Sequence, residues 1–311
     1  MSPRHLLLAV MIAAIWGFNF VPIKTGLDTF PPLLFGALRF VVSALPAVFF
    51  VRRPPVAWKW ILLIGLAIGV GQFGMMFIGM REGMPAGLAS VLLQSAALFT
   101  TVFAFGLLGE RPRPITAAGM LVALFGVTLI GVDFGHGSPI LAFLLTIGAA
   151  ASWGLGNVLM RMMNQSTEEP VDGFAFMVWM SLVPPLPLLT LSLIFEGPAA
   201  DLDAFTDVPW EAWASLAYIA YLSTLVGFGA WGWLMRRYEA GTVAMYALLV
   251  PPFGIVSTVV VLGESVSALR LFAAALIVGG VALGSVRRRR QDEPAPAAEP
   301  PLPTPEPVLS K

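Results

Sequence analysis

Apolar residues run along most of this chain in blocks of about 20, the length that crosses a hydrocarbon core, and polar or bend-forming clusters separate the blocks. Ten blocks, near 5–25, 33–51, 58–79, 85–108, 114–131, 139–160, 173–195, 210–235, 242–262 and 268–285, predict ten transmembrane helices. The expected fold class is therefore an all-α membrane protein. Connections are short and rich in proline and charge, as at Arg52-Arg53-Pro54-Pro55 and Arg111-Pro112-Arg113-Pro114. The longest runs from about Glu196 to Pro209 and carries Asp201, Asp203 and Asp207. The first block, Leu6 to Ile23, is too long for a signal-peptide core and holds Trp16 and Asn19, so it is expected to be retained. The fourth opens on Gly83–Ser90 (GMPAGLAS), with Pro85 suited to the first helical turn, and reaches an amide at Gln94 two turns in.

Composition agrees with this pattern. The 311 residues are 58% hydrophobic and 12% charged, with a mean hydropathy of +0.84, whereas a soluble domain carries about 25% charged residues. The absence of cysteine excludes disulfides, thiol catalysis and cysteine-ligated metal. Where the charges fall says more than their sum. Fourteen of the 18 basic residues fall on the side that holds both termini; Lys24, Arg81 and Arg270 fall on the other, and Arg39 lies within a span. Both termini are accordingly expected in the cytoplasm. Beyond Arg290 the chain turns to proline, alanine and glutamate, a composition that buries no apolar surface and is expected to be disordered.

The halves echo one another. An offset of 154 pairs Leu108-Gly109-Glu110 with Leu262-Gly263-Glu264, Ala86-Gly87 with Ala240-Gly241 and Gly126-Val127 with Gly280-Val281. An offset of 138 pairs Asn19 with Asn157, Pro32 with Pro170, Ser43 with Ser181 and Pro46 with Pro184. Five spans per copy is an odd number, so the second copy enters the membrane from the opposite side. The expected organisation is two inverted five-helix repeats, 1–133 and 134–286, followed by a tail, 287–311. Inverted repeats point to a transporter with its site near the midplane.

Candidate chemistry is sparse. The acidic residues and both histidines, His5 and His136, fall in loops, at span ends or in the tail, so no embedded carboxylate is expected to relay protons. Two readings fit Arg39: a guanidinium that holds a substrate carboxylate, or one that snorkels outward or pairs with helix-end carbonyls or Glu82. The amides Asn19, Gln72, Gln94 and Asn157 form either a hydrogen-bonding cavity for a polar metabolite or interhelical glue. Trp16 and Trp153, beside the paired asparagines, add aromatic surface. These seven residues are the candidate substrate-binding set. No enzyme is expected, since no triad, metal-ligand cluster or P-loop pattern is present, and no cofactor, metal or nucleic-acid partner is anticipated.

Trp16–Lys24 (WGFNFVPIK), Pro31-Pro32, Leu38-Arg39-Phe40, Gly83–Ser90 and the paired Gly-Glu turns resemble the EamA family of the drug/metabolite transporter superfamily. Within it they look most like exporters of O-acetylserine and cysteine in bacterial inner membranes. The resemblance covers roughly Leu6 to Ser285 and implies a ten-helix, inverted-repeat carrier, monomeric or homodimeric, that moves small amino-acid metabolites out of the cell. A passive facilitator and a multidrug efflux protein are the alternatives, the latter disfavoured by the missing embedded glutamate.

Overall fold

A computed structural model describes residues 1–135, 139–238, 242–243 and 245–285. The tail from 286 onward, His136 and most of the 239–244 echo lie outside the described residues. Ten helices answer the ten apolar blocks: α1 Pro3–Leu27, α2 Pro32–Val48, α3 Trp58–Arg81, α4 Ala86–Leu108, α5 Pro114–Phe134, α6 Ile140–Gln165, α7 Gly173–Phe195, α8 Trp210–Arg237, α9 Met245–Leu262 and α10 Ala268–Ser285. Nine are long and apolar enough to cross a bilayer, and α2 is a shorter apolar helix. The starts of α1 and α10's finish share one end of the bundle, called here the terminal end. The α1–α2, α3–α4 and α9–α10 turns share the far end.

The repeat is visible in the packing as paired contacts. A β-carbon at Gly126 on α5 would stand 2.7 Å from the Ala273 carbonyl on α10, and one at Gly280 on α10 would stand 2.5 Å from the Gly119 carbonyl on α5. Each contact is the 154-residue image of the other, the relation a two-fold axis in the membrane plane generates. The α1–α9 and α6–α4 crossings are mates as well, with Gly17 and Gly154 one residue out of the 138-residue register. Gly17 abuts Phe253 and Gly254, while Gly154 abuts Phe99 and Thr100. Such crossings need small residues, because helices in lipid gain stability from close van der Waals approach rather than from a hydrophobic force. Both α4 and α9 end on a glycine in the left-handed region, Gly109 at φ 68° and Gly263 at φ 67°, where a β-carbon is disfavoured.

Several helices depart from regular α geometry, in matched places. α3 widens to π-type hydrogen bonding over Gly65–Gln72 and α8 over Tyr218–Val226. α4 tightens to 3-10 geometry at Leu93–Ser95 and α9 at Met245–Leu249. α1 breaks at Asn19, between segments Pro3–Phe18 and Phe20–Leu27. Pro22 offers no N–H to the Phe18 carbonyl, which accounts for the break. α7 breaks between Met180 and Pro185.

The loop acids do more than face water. Glu196 accepts from the backbone N–H groups of Leu33 (2.8 Å) and Leu34 (3.2 Å), so a carboxylate of the second half caps the start of α2. The Ser192 hydroxyl lies between Glu196 and Asp201, and Asp201 is buried. Glu264 likewise accepts from Ala86 (2.7 Å) and Gly87 (2.9 Å) at the start of α4. Beneath these caps the far half of the bundle is densely filled, with Ile23, Leu27, Phe30, Phe35, Phe77, Met80 and Met84 all fully buried in one cluster.

Candidate functional site

Three of the buried helix stripes end on a polar residue. On α1 the run Leu27, Ile23, Asn19 descends from the far end at i, i+4 spacing, and on α3 the run Met80, Met76, Gln72 does the same. On α2 Phe35 is followed one turn on by Arg39. Ile23, Phe35 and Met76 belong to the same core cluster, and each polar group follows its stripe one turn toward the terminal end. Each stands seven to nine residues from the far end of its helix, about 10–14 Å at 1.5 Å per residue. Gln94, eight residues into α4, occupies the same level and is half-buried.

Arg39 is 3% exposed. Its Nη2 donates to Thr224 Oγ1 on α8 over a long 3.4 Å, its guanidinium carbon lies 3.7 Å from the centroid of the Phe73 ring, and Nε and Nη1 have no hydrogen-bond partner. No carboxylate among the described residues lies within ion-pair distance of it. It neither snorkels to the surface nor reaches Glu82, which is exposed at the end of α3. A desolvated cation over an aromatic face gains about 2 kcal/mol or more, which offsets only part of the cost of burying the charge. The nearby backbone is shaped by the π segments: Thr224 sits inside that of α8, where its hydroxyl donates to the Ile219 carbonyl (2.6 Å), and Phe73 follows directly on that of α3.

The two asparagines, mates by sequence, have different surroundings. Asn157 donates to Thr100 Oγ1 at 3.2 Å, a bond between α6 and α4. The image of Thr100 in the other half is Gly254, which has no hydroxyl to accept from the Asn19 amide N–H, and Asn19 Oδ1 has no donor either. Gln72 Oε1 is likewise unpaired. Asn19 is 8% and Gln72 5% exposed.

The structure thus gathers Asn19, Arg39, Gln72 and Gln94 at one level and sets Asn157 apart. Inversion places it eight residues from the terminal end of α6. Trp16, one turn from Asn19, donates to the Ser223 carbonyl (3.0 Å) and packs on Phe228 and Trp231. Trp153 packs half-buried against the main core, near Asn157. Two neighbours went unnoticed in the sequence: Thr224 and Phe73 give no signal beyond that of any apolar span. Arg39 has no charged counterpart in the second half, where the 138-residue offset gives Met177. The paired hydroxyls one turn on do match: Ser43 donates to the Arg39 carbonyl and Ser181 to the Met177 carbonyl, both at 2.7 Å.

A buried cation and two orphaned amides inside an inverted repeat are features of a solute carrier, and comparison with known proteins agrees. The model of the EamA-like transporter family matches residues 4–132 and 140–286. The chain belongs to that family. It is 39% identical over 284 residues to a probable amino-acid metabolite efflux pump of Escherichia coli K12, covering 90% of this chain and 94% of the relative. The match to the similarly named protein of Salmonella typhimurium is equal, 39% over 283 residues with the same coverage. A probable terminal-alkyne amino-acid exporter of Streptantibioticus cattleyicolor is 28% identical over 91% of this chain and 94% of its own length. A solved crystal structure, 21% identical, superposes with a TM-score of 0.60 over 95% of this chain and all of the other, which bears out the fold. As a member of the EamA-like family the chain is a multi-pass membrane transporter of small molecules and not an enzyme.

Proposed function

We propose that the chain exports small amino-acid metabolites of the cysteine and O-acetylserine kind across a bacterial inner membrane by alternating access, with both termini in the cytoplasm. Its binding level comprises Arg39, Asn19, Gln72 and Gln94, with Trp16 at its edge. Asn157 and Trp153 line the route from that level toward the terminal end. The observation that carries this reading is Arg39, a buried guanidinium without a carboxylate partner, in a chain whose relatives are named for amino-acid metabolite efflux. A carboxylate-bearing solute is the counter-ion such a site calls for.

The test is to compare secreted metabolites from cells with and without the protein, and then flux in inverted vesicles. Raised external cysteine, O-acetylserine or related amino acids is expected. Protection from lipophilic dyes with unchanged amino-acid secretion would overturn the reading in favour of a multidrug protein. In vesicles, flux that survives collapse of the proton gradient and runs only downhill would make the protein a facilitator rather than a driven exporter.

A further inference from the structure

Four buried atoms at the binding level have no hydrogen-bond partner: Arg39 Nε and Nη1, Asn19 Oδ1 and Gln72 Oε1. They divide by chemistry into cationic donors and neutral acceptors. Arg39 Nη2 keeps a second hydrogen beside the one on Thr224, so the guanidinium edge that carries it can take both oxygens of a carboxylate in parallel bonds. The amide oxygens, on α1 and α3, can each accept from an ammonium.

We infer that this level is an α-amino-acid zwitterion site, in which Arg39 holds the carboxylate and the amide oxygens of Asn19 and Gln72 hold the ammonium. The inference deepens the proposed export function and rests on it. A simple anion would satisfy Arg39 and leave both amide oxygens buried without donors, the costly case for a polar group in a dry site. A simple amine would satisfy the oxygens while facing an uncompensated guanidinium. A solute bearing both ends answers all four atoms. The placement supports this: each of the three side chains stands one turn toward the terminal end from a member of one core cluster, Ile23, Phe35 or Met76. Arg39 and Gln72 are further tied through Phe73, whose ring lies under the guanidinium and which adjoins Gln72 in the chain. Since the mate of Arg39 is Met177, which has no charge, and the mate of Asn19 is tied through its amide N–H to Thr100, the inverted copy does not reproduce the site. The zwitterion therefore binds in one orientation, carboxylate toward α2 and α8.

Sites built to pair a charged group reject analogues that lack it, because the protein groups are then left unpaired. The experiment uses the full chain in proteoliposomes, with L-cysteine and L-serine as transported probes. Their decarboxylated forms (cysteamine, ethanolamine) and N-acetyl forms are competitors. The wild-type protein is expected to favour each zwitterion over both blocked forms by about tenfold or more. Arg39→Met should reduce the preference over the decarboxylated amine to within about twofold, with Arg39→Lys retaining part of it. Asn19→Leu combined with Gln72→Leu should remove the preference over the N-acetyl form and keep the preference over the amine. Arg39→Met should melt no lower than wild type, since a buried unpaired cation gives way to an apolar chain of similar length. A structural arginine would instead lower the melting temperature.

Equal handling of cysteine and cysteamine by the wild-type protein, or undiminished discrimination in Arg39→Met, would overturn the zwitterion site and leave amino-acid export standing. Failure to move any amino acid, with no change in secreted metabolites, would sink both.

Discussion

Asn19 and Asn157 are the same residue in two copies of one design, yet only Asn157 is hydrogen-bonded, and the difference traces to one neighbour. Thr100 gives Asn157 an oxygen to donate to, and Gly254 at the image position gives Asn19 nothing. Interhelical hydrogen bonds of this kind contribute about 0.6–1.7 kcal/mol in membranes. Asn157→Leu is therefore expected to destabilise the protein by roughly that amount. Asn19→Leu, which removes an unpaired carbonyl, should leave the melting temperature nearly unchanged or raise it. Detergent melting of the two variants checks the pair, and equal losses would show that Asn19 has a structural partner after all. The sequence showed both amides as buried polar groups and offered structural and binding roles for each. It could not separate them, because the deciding neighbour lies 57 residues away in one half and more than 230 away in the other. Arg39 was legible as an embedded charge for the same simple reason, while its setting against Phe73 and Thr224 depends on helix rotation that an apolar span does not encode.

At the scale of the element, the ten helices were legible with ends displaced by at most five residues (α6 runs to Gln165 against an expected 160), because each apolar block is closed by proline, glycine or charge and the bilayer permits little besides helices. The π segments in α3 and α8 were not. A π turn uses the same apolar residues as an α turn and differs only in which carbonyl each N–H finds. Their matched positions in the two halves do confirm the duplication on grounds independent of residue identity. The α5–α10 crossing tests the symmetry directly. A β-carbon at Gly126 or Gly280 would press on the partner backbone at 2.7 and 2.5 Å, distances that side chains do not relieve by turning. Gly126→Val and Gly280→Val are each expected to cost about 1–3 kcal/mol, and by similar amounts, since they are images of one contact. Thermal denaturation of both variants measures this. A large loss for one and none for the other would show that the pseudo-two-fold relation does not extend to the energetics of this crossing.

For the whole molecule, the two ends of the bundle are in different conditions. At the far end Glu264, on the α9–α10 turn of the second half, grips the N–H groups of Ala86 and Gly87 of the first, over a plug that includes fully buried Met84. Its image at the terminal end, Glu110, is paired with Arg161 at 2.7 Å instead. A carboxylate on a helix N-terminus is favoured by the helix dipole and by charge-assisted bonds, so Glu264 acts as a clasp between halves that must separate if the far end is to open. Glu264→Gln removes the charge and leaves one oxygen for two N–H donors. Because the chain contains no cysteine, Met84→Cys creates a single thiol beneath the clasp. In that background Glu264→Gln is expected to raise labelling by a membrane-impermeant thiol reagent several-fold. The reagent should act from outside the cell if, as we propose from the distribution of basic residues, the far end lies there. Unchanged labelling would mean that the apolar plug alone holds this end shut. Labelling only from the cytoplasmic side would reverse the orientation and with it the direction of export.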